Sequence, residues 1–255
     1  MRTDAIIIRL FCIVDDRLAD VKKHPLARLH PSEVVTIGLL FALKGVGYRA
    51  FYRWLAANYA DLFGGLPEQA RLYRLLTNTQ PLTDRFLANP TVLGIIDSIG
   101  IELIHPRREG RSRQPLGRKG IANHRWIVGV KRAWLVNQRG EVVEWQWFPT
   151  TVSDQEFRDL VAWQDGQMVA LADTGFRVRA DEDDGVPIKI CRRGSWSCRF
   201  LIETVFSLVE RVVHAKKLIH RTGRGIDLRL GFLVACFNCL LTITHGRLSF
   251  LDFII

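Results

Sequence analysis

Residues 125–148 read RWIVGVKRAWLVNQRGEVVEWQWF. Two runs rich in Val, Ile and Trp, over 125–136 and 141–148, flank NQRG, and this pattern predicts two strands joined as a hairpin. TVLGIID (91–97) precedes them as a short apolar run of strand type, extended by SIGIELI. SDQEFRDLVAWQ (153–164) follows as a helix capped by Ser153, then MVALAD (168–173) and VPIKI (186–190) as further strands. Two helices, over about 199–220 and 225–245, finish the chain. A hairpin followed by crossover-connected strands predicts an α/β fold, a mixed sheet flanked by helices.

Residues 1–90 have a different character. HPSEVVTIGLLFALKGVGYRAFYRWL, broken at Gly45 and Gly47, predicts two helices joined by a turn, with Ser32 as N-cap. A further helix is expected over 67–76, and Asn89-Pro90 marks a boundary. The expected division is a helical region over 1–90, serving either DNA binding or dimerisation, and a second domain over 91–255. With 255 residues and 48% hydrophobic content, the chain has enough material for a sizeable core.

The formal net charge is +10, which points to a polyanionic partner, nucleic acid or an anionic membrane surface. No apolar run reaches the ~18 residues of a membrane span. GFLVACFNCLLTI (231–243) is too short and carries Asn238, so it reads as a buried core helix. The start, MRTDAIIIRLFCIVDD, lacks a secretory cleavage pattern, and a cytoplasmic protein is expected. The five cysteines do not suggest a disulfide framework. Cys236 and Cys239 have C-x-x-C spacing, and Cys191 and Cys198 would complete four zinc ligands, but an apolar helix favours the first two as small hydrophobes.

Three acids stand in suggestive places. Asp97 closes GIID and Asp173 closes LAD, each directly after an apolar run. Either alone is accounted for by the turn preference of aspartate. Glu203 sits in RFLIETVFSLVER (199–211), on the polar face of an amphipathic helix, where it either faces water beside Arg199 or serves a site. Together, two acids at strand ends and one on a covering helix form a set of oxygen donors suited to hard divalent cations. Two such ions about 4 Å apart activate an attacking oxygen and stabilise a leaving one in phosphoryl transfer. DEDDG (181–185) has no preceding apolar strand and reads as a polar turn.

GIIDSIGIELI, the KRAWLVNQRGEVVEWQWFPTTVSDQEF stretch, LADTGF and RFLIETVFSLVER together resemble the insertion-sequence transposases of the DDE type, and the likeness covers most of the chain. It implies a ribonuclease H-like catalytic domain with Asp97, Asp173 and Glu203 as the triad holding two Mg²⁺ or Mn²⁺ ions. It also implies a homo-oligomer acting on double-stranded DNA, cutting the ends of a mobile element and transferring them to a target. Asp173 and Glu203 lie about 30 residues apart, in keeping with that family. Many relatives carry Tyr, two residues, Arg, three residues, Glu, six residues, then Lys or Arg. Here Arg199 and Glu203 match, while Trp196 and Glu210 stand at the outer positions, with Arg211 next to the latter. That departure leaves a catalytically inactive DNA-binding relic as an alternative; a nuclease of the same fold without strand transfer is another.

PRREGRSRQPLGRKG (106–120) holds six basic residues, Arg107, Arg108, Arg111, Arg113, Arg118 and Lys119, against Glu109. Its Gly and Pro content predicts a flexible loop, and its place after Asp97 suits sequence-blind contact with DNA phosphates. Arg199, and Lys216 and Lys217 in HAKKLIHRTGRG (214–225), are further candidate DNA contacts.

Overall fold

A computed structural model describes residues 2–111, 116–122, 125–179, 185–191, 199–212, 215, 218, 220, 222–253 and 255. Their contacts divide the chain into two compact units: 1–86 with 208–215 and 223–255, and 87–207 with 216–222. The division near residue 86 falls close to Asn89-Pro90. The last helix, expected within 91–255, groups with the N-terminal helices.

The first unit is helical. It contains α1 (Thr3–Arg17), α2 (Pro31–Lys44), α3 (Tyr48–Asn58), α4 (Gln69–Thr79), a 3-10 turn over Gln80–Phe86, and the long C-terminal helix Gly223–Ile243, numbered α7 below. Every residue of α2 from Val34 to Leu43 is buried, so this helix is apolar on all sides and forms the centre of the unit. It packs against α1, α4 and α7. His30, not Ser32, is the N-cap: its side chain accepts from the Ser32 N–H, Glu33 reaches back to the His30 N–H at 2.6 Å, and Pro31 takes the first helical position. Ser32 is buried inside the first turn. Gly45 closes the helix at φ 67°, the left-handed conformation in which glycine avoids a Cβ penalty.

α7 is longer than its apolar run suggests. Among the described residues it is the one helix long and apolar enough to cross a membrane, and 83% of its apolar window is buried inside the protein. Its polar residues have partners. Asn238 donates to the Phe86 carbonyl at 2.8 Å, and Arg229 donates to the Phe41 carbonyl at 2.6 Å with its guanidinium 5.2 Å from the Phe41 ring centre. Burial pulls the Arg229 pKa down to about 10 and pushes the Cys236 thiol up to about 12. A thiol held protonated in apolar packing is a poor metal ligand.

The second unit is built on a mixed sheet. Its strands are β1 (Leu93–Ile104), β2 (Lys119–Ala122), β3 (Arg125–Asn137), β4 (Val142–Pro149), β5 (Val169–Ala172) and β6 (Ile188–Ile190). The order is β2-β3-β1-β5-β6, and β4 shares with β2 the edge of β3 that β1 does not occupy. β1 runs antiparallel to β3 and parallel to β5, and β5 runs parallel to β6. The α/β class and the mixed sheet match the sequence. β2 does not: its first two residues fall in the 106–120 stretch expected to be a flexible loop, and no strand was expected there. The helix expected over 153–164 is largely a 3-10 turn, Asp154–Arg158, followed by the short α5 (Asp159–Ala162), although Ser153 caps it as expected.

One sheet face carries a core of Ile96, Ala133, Leu135, Met168, Ala170 and Ala172 under Phe157, Leu160 and Val161. Strand alternation places Ile95, Asp97 and Trp134 on the other face. There α6 (Arg199–Val212) packs through Phe206, whose ring meets Trp134 edge-on at 5.8 Å.

In the helical unit, α2 and α7 approach where Gly38 faces Phe232, and a Cβ on Gly38 would sit 2.2 Å from that buried ring. Gly38→Ala gains about 1 kcal/mol of helix propensity, but the ring has no room to retreat. The expected net loss is about 1–2 kcal/mol in urea unfolding, with part recovered by adding Phe232→Leu.

Candidate functional site

Asp97 does not end its strand. It lies inside β1, paired across the antiparallel ladder with Trp134. On the other side, the parallel ladder to β5 stops at Ile95↔Leu171. Asp97 is therefore just beyond the end of that ladder, and continuing the register sets it beside Asp173, which directly follows β5. Neighbouring strands are about 4.8 Å apart, and partners in parallel register share a face. The isolated apolar runs GIID and LAD gain their meaning from this pairing.

Each aspartate also serves its own backbone. Asp97 Oδ1 accepts from the Ser98 N–H at 2.8 Å. Asp173 caps the 3-10 turn Thr174–Phe176, its Oδ1 accepting from the Gly175 N–H at 2.9 Å. Glu203 projects from the exposed side of α6. Phe206, one turn further along, rests on Trp134, the cross-strand partner of Asp97. α6 thus covers the sheet face to which Asp97 belongs.

α6 lies on the Asp97 side of the sheet, but the three carboxylates do not close on a common point. Among the described residues no group of three His, Cys, Asp or Glu side chains is placed to hold a metal ion. The cap on Gly175 gives part of the reason, because it draws the Asp173 carboxylate toward its own turn.

A fourth acid joins β1 to β3. Asp154 Oδ1 accepts from the Ser98 hydroxyl at 2.9 Å and lies 3.1 Å from Lys131 Nζ, which also donates to the Val152 carbonyl at 3.0 Å. A Cβ on Gly175 would stand 3.2 Å from Asp154 Oδ2 and 3.0 Å from Asp173 Oδ1, so the two carboxylates meet around this glycine. Asp154 therefore ties the residue after Asp97 to Lys131 of β3, close to the turn after Asp173. In sequence it looks like an ordinary first-turn acid behind a Ser cap, and no local signal links it to Lys131.

Of the candidate DNA contacts, Arg107, Arg108, Arg111 and Arg118 are exposed. Lys119 is not uncommitted: it pairs with Glu109 at 2.9 Å, and its hydrogen bond holds that carboxyl below its usual range. Arg113, Lys216 and Lys217 lie outside the described residues, as do Trp196, Cys198 and the acids of 181–184, and Arg199 is described in its backbone alone. Glu210 is half-buried and Arg211 exposed.

The Asp154–Lys131 pair is partly buried, with side-chain exposures of 27% and 11%. Asp154→Ala leaves the Lys131 ammonium without its carboxylate and is expected to cost about 2 kcal/mol in urea unfolding. Adding Lys131→Met should cost less than the sum of the single changes, since the two share one interaction. Additive losses would show that the pair is not coupled. Comparison of the chain with protein-family models, with curated proteins and with solved structures returns no match.

Proposed function

We propose that the chain is a DNA transposase of the DDE type, with a ribonuclease H-like second unit that cuts the ends of a mobile element and joins them to target DNA. The observation that carries this reading is the β1–β5 register, which, continued two residues past Ile95↔Leu171, would bring Asp97 level with Asp173. The packing of α6 through Phe206 onto Trp134 supports Glu203 as the third acid. A triad of this kind needs its two aspartate strands adjacent and its glutamate helix on the same face.

The donor set fits the group it would hold, since carboxylate oxygens are the ligands hard divalent cations require. Asp97, Asp173 and Glu203 would hold two Mg²⁺ or Mn²⁺ ions, which when bound supply activation of the attacking oxygen and stabilisation of the leaving 3′-oxygen. The chain's own residues do the positioning. Asp154 holds Ser98 of β1 and Lys131 of β3 together beside the candidate acids. The exposed Arg107, Arg108, Arg111 and Arg118 attract the phosphate backbone, a contribution that weakens with salt. Two element ends must meet, so the working form is a homo-oligomer on duplex DNA.

A second reading, a protein that holds DNA without cutting it, is favoured by the open arrangement of the acids and by Glu210 where relatives carry a cation. The two are separated by cleavage and joining of labelled duplex bearing the element's ends, with Mg²⁺ or Mn²⁺. Asp97→Ala, Asp173→Ala and Glu203→Ala are each expected to lower cleavage by about a thousandfold while DNA binding persists. A wild-type protein that binds duplex and never cuts it would establish the non-catalytic reading. One that cuts without joining would be a nuclease.

A further inference from the structure

The β2–β3 hairpin carries an exposed apolar pair that neither the sheet nor the acid site uses. Ile121 and Trp126 are cross-strand partners, with 56% and 62% of their surfaces open to solvent. Their strand neighbours Gly120, Ala122 and Ile127 are buried. Gly120 lies so close to Thr150 that a Cβ would come within 2.2 Å of its carbonyl oxygen. The hairpin is therefore fastened along one face and presents tryptophan and isoleucine on the other. A large exposed aromatic is an unusual ornament for an edge hairpin, where exposed apolar side chains invite unwanted pairing.

Its surroundings are cationic. Arg118 is exposed just before β2, and Arg125 is exposed next to Trp126 in sequence, on the opposite face of β3, toward Glu102. β1 ends at Ile104, which pairs with Val128 two residues from Trp126, so the turn holding Arg107 and Arg108 lies at the same end of the sheet. The nearest acids are engaged: Glu109 pairs with Lys119, and Glu102 stands 3.9 Å from Arg125. An aromatic ring and a β-branched side chain at a sheet end that also carries exposed arginines match the two parts of nucleic acid, the base face and the phosphate.

We infer that Trp126 and Ile121 form a wedge that inserts against unstacked bases of duplex DNA, with Arg118 and the Arg107–Arg108 turn holding the flanking phosphates. The inference rests on the DNA reading above and adds a contact distinct from the acids. Trp126 and Trp134 lie on one strand and one face, so at about 3.3 Å per residue the wedge stands about 26 Å from the level of Asp97. At about 3.4 Å per base pair, that sets the distorted step about eight base pairs from the reacting phosphate.

The test is anisotropy binding of the full chain, without divalent metal, to a labelled fully paired duplex and to the same duplex with a short central bubble of unpaired bases. Wild type is expected to prefer the bubble, where unstacking is already done. Trp126→Ala should lose about tenfold on the bubble and little on the paired duplex, and Trp126→Phe should retain most of the preference. Ile121→Ala should weaken the same preference in part. Arg118→Ala should weaken both duplexes alike and reduce the salt slope by about one. Equal affinity of wild type for the two duplexes, or an undiminished preference in Trp126→Ala, overturns the wedge and leaves the catalytic reading standing. A shift of Trp126→Ala to a smaller species in size-exclusion chromatography also overturns it, making the hairpin a contact between copies. If the wedge results hold while no triad variant affects cleavage, the wedge stands and the catalytic reading falls. If wild type binds neither duplex, both fall together.

Discussion

The guanidinium of Arg132 is fully buried, 4.8 Å from the Trp134 ring centre and 5.4 Å from that of Phe206. A buried charge between a strand and a helix is stable only where its surroundings repay the lost hydration, and stacked aromatic faces repay part of it. The arrangement joins α6 to β3 at one level of the sheet. Since Trp134 is also the ladder partner of Asp97, the same contact sets where Glu203 stands relative to the first aspartate. A shift of one turn along α6 would separate Phe206 from Trp134 and carry the glutamate about 5 Å away.

The parts of this fold that depend on neighbouring residues were legible in the sequence. The hairpin turn is an example: Asn137 Oδ1 accepts from the N–H groups of Arg139 and Glu141, and Gly140 takes φ 79°. Turn chemistry of this kind lies within the quoted NQRG stretch and needs no distant partner. The polar face of α6 was equally readable, because helical periodicity alone puts Glu203 opposite Leu201, Val205 and Val212. So was the Asp173 cap, since aspartate before Thr-Gly closes its own turn.

What escaped the sequence depends on distant chain. KGIA has no apolar period to mark it as β2; it is a strand because β3 offers an edge. Asp154 and Lys131 are ordinary polar residues until the fold brings β3 and the 3-10 turn together. His30 displaces Ser32 as cap because Pro31 fits the first helical position and Glu33 completes the reciprocal pair. The site was legible as a list of acids at apolar run ends, while their adjacency came from a parallel register that no local pattern encodes.

That register has a further consequence. β5 ends at Ala172, one residue before Asp173, while β1 continues to Ile104. Had the ladder run two pairs further, Asp97 and Asp173 would have stood as locked neighbours, and like charges side by side on adjacent strands repel. Because pairing stops at Ile95↔Leu171, Asp97 is placed by its ladder with β3 and Asp173 by its own turn, two supports that do not depend on each other.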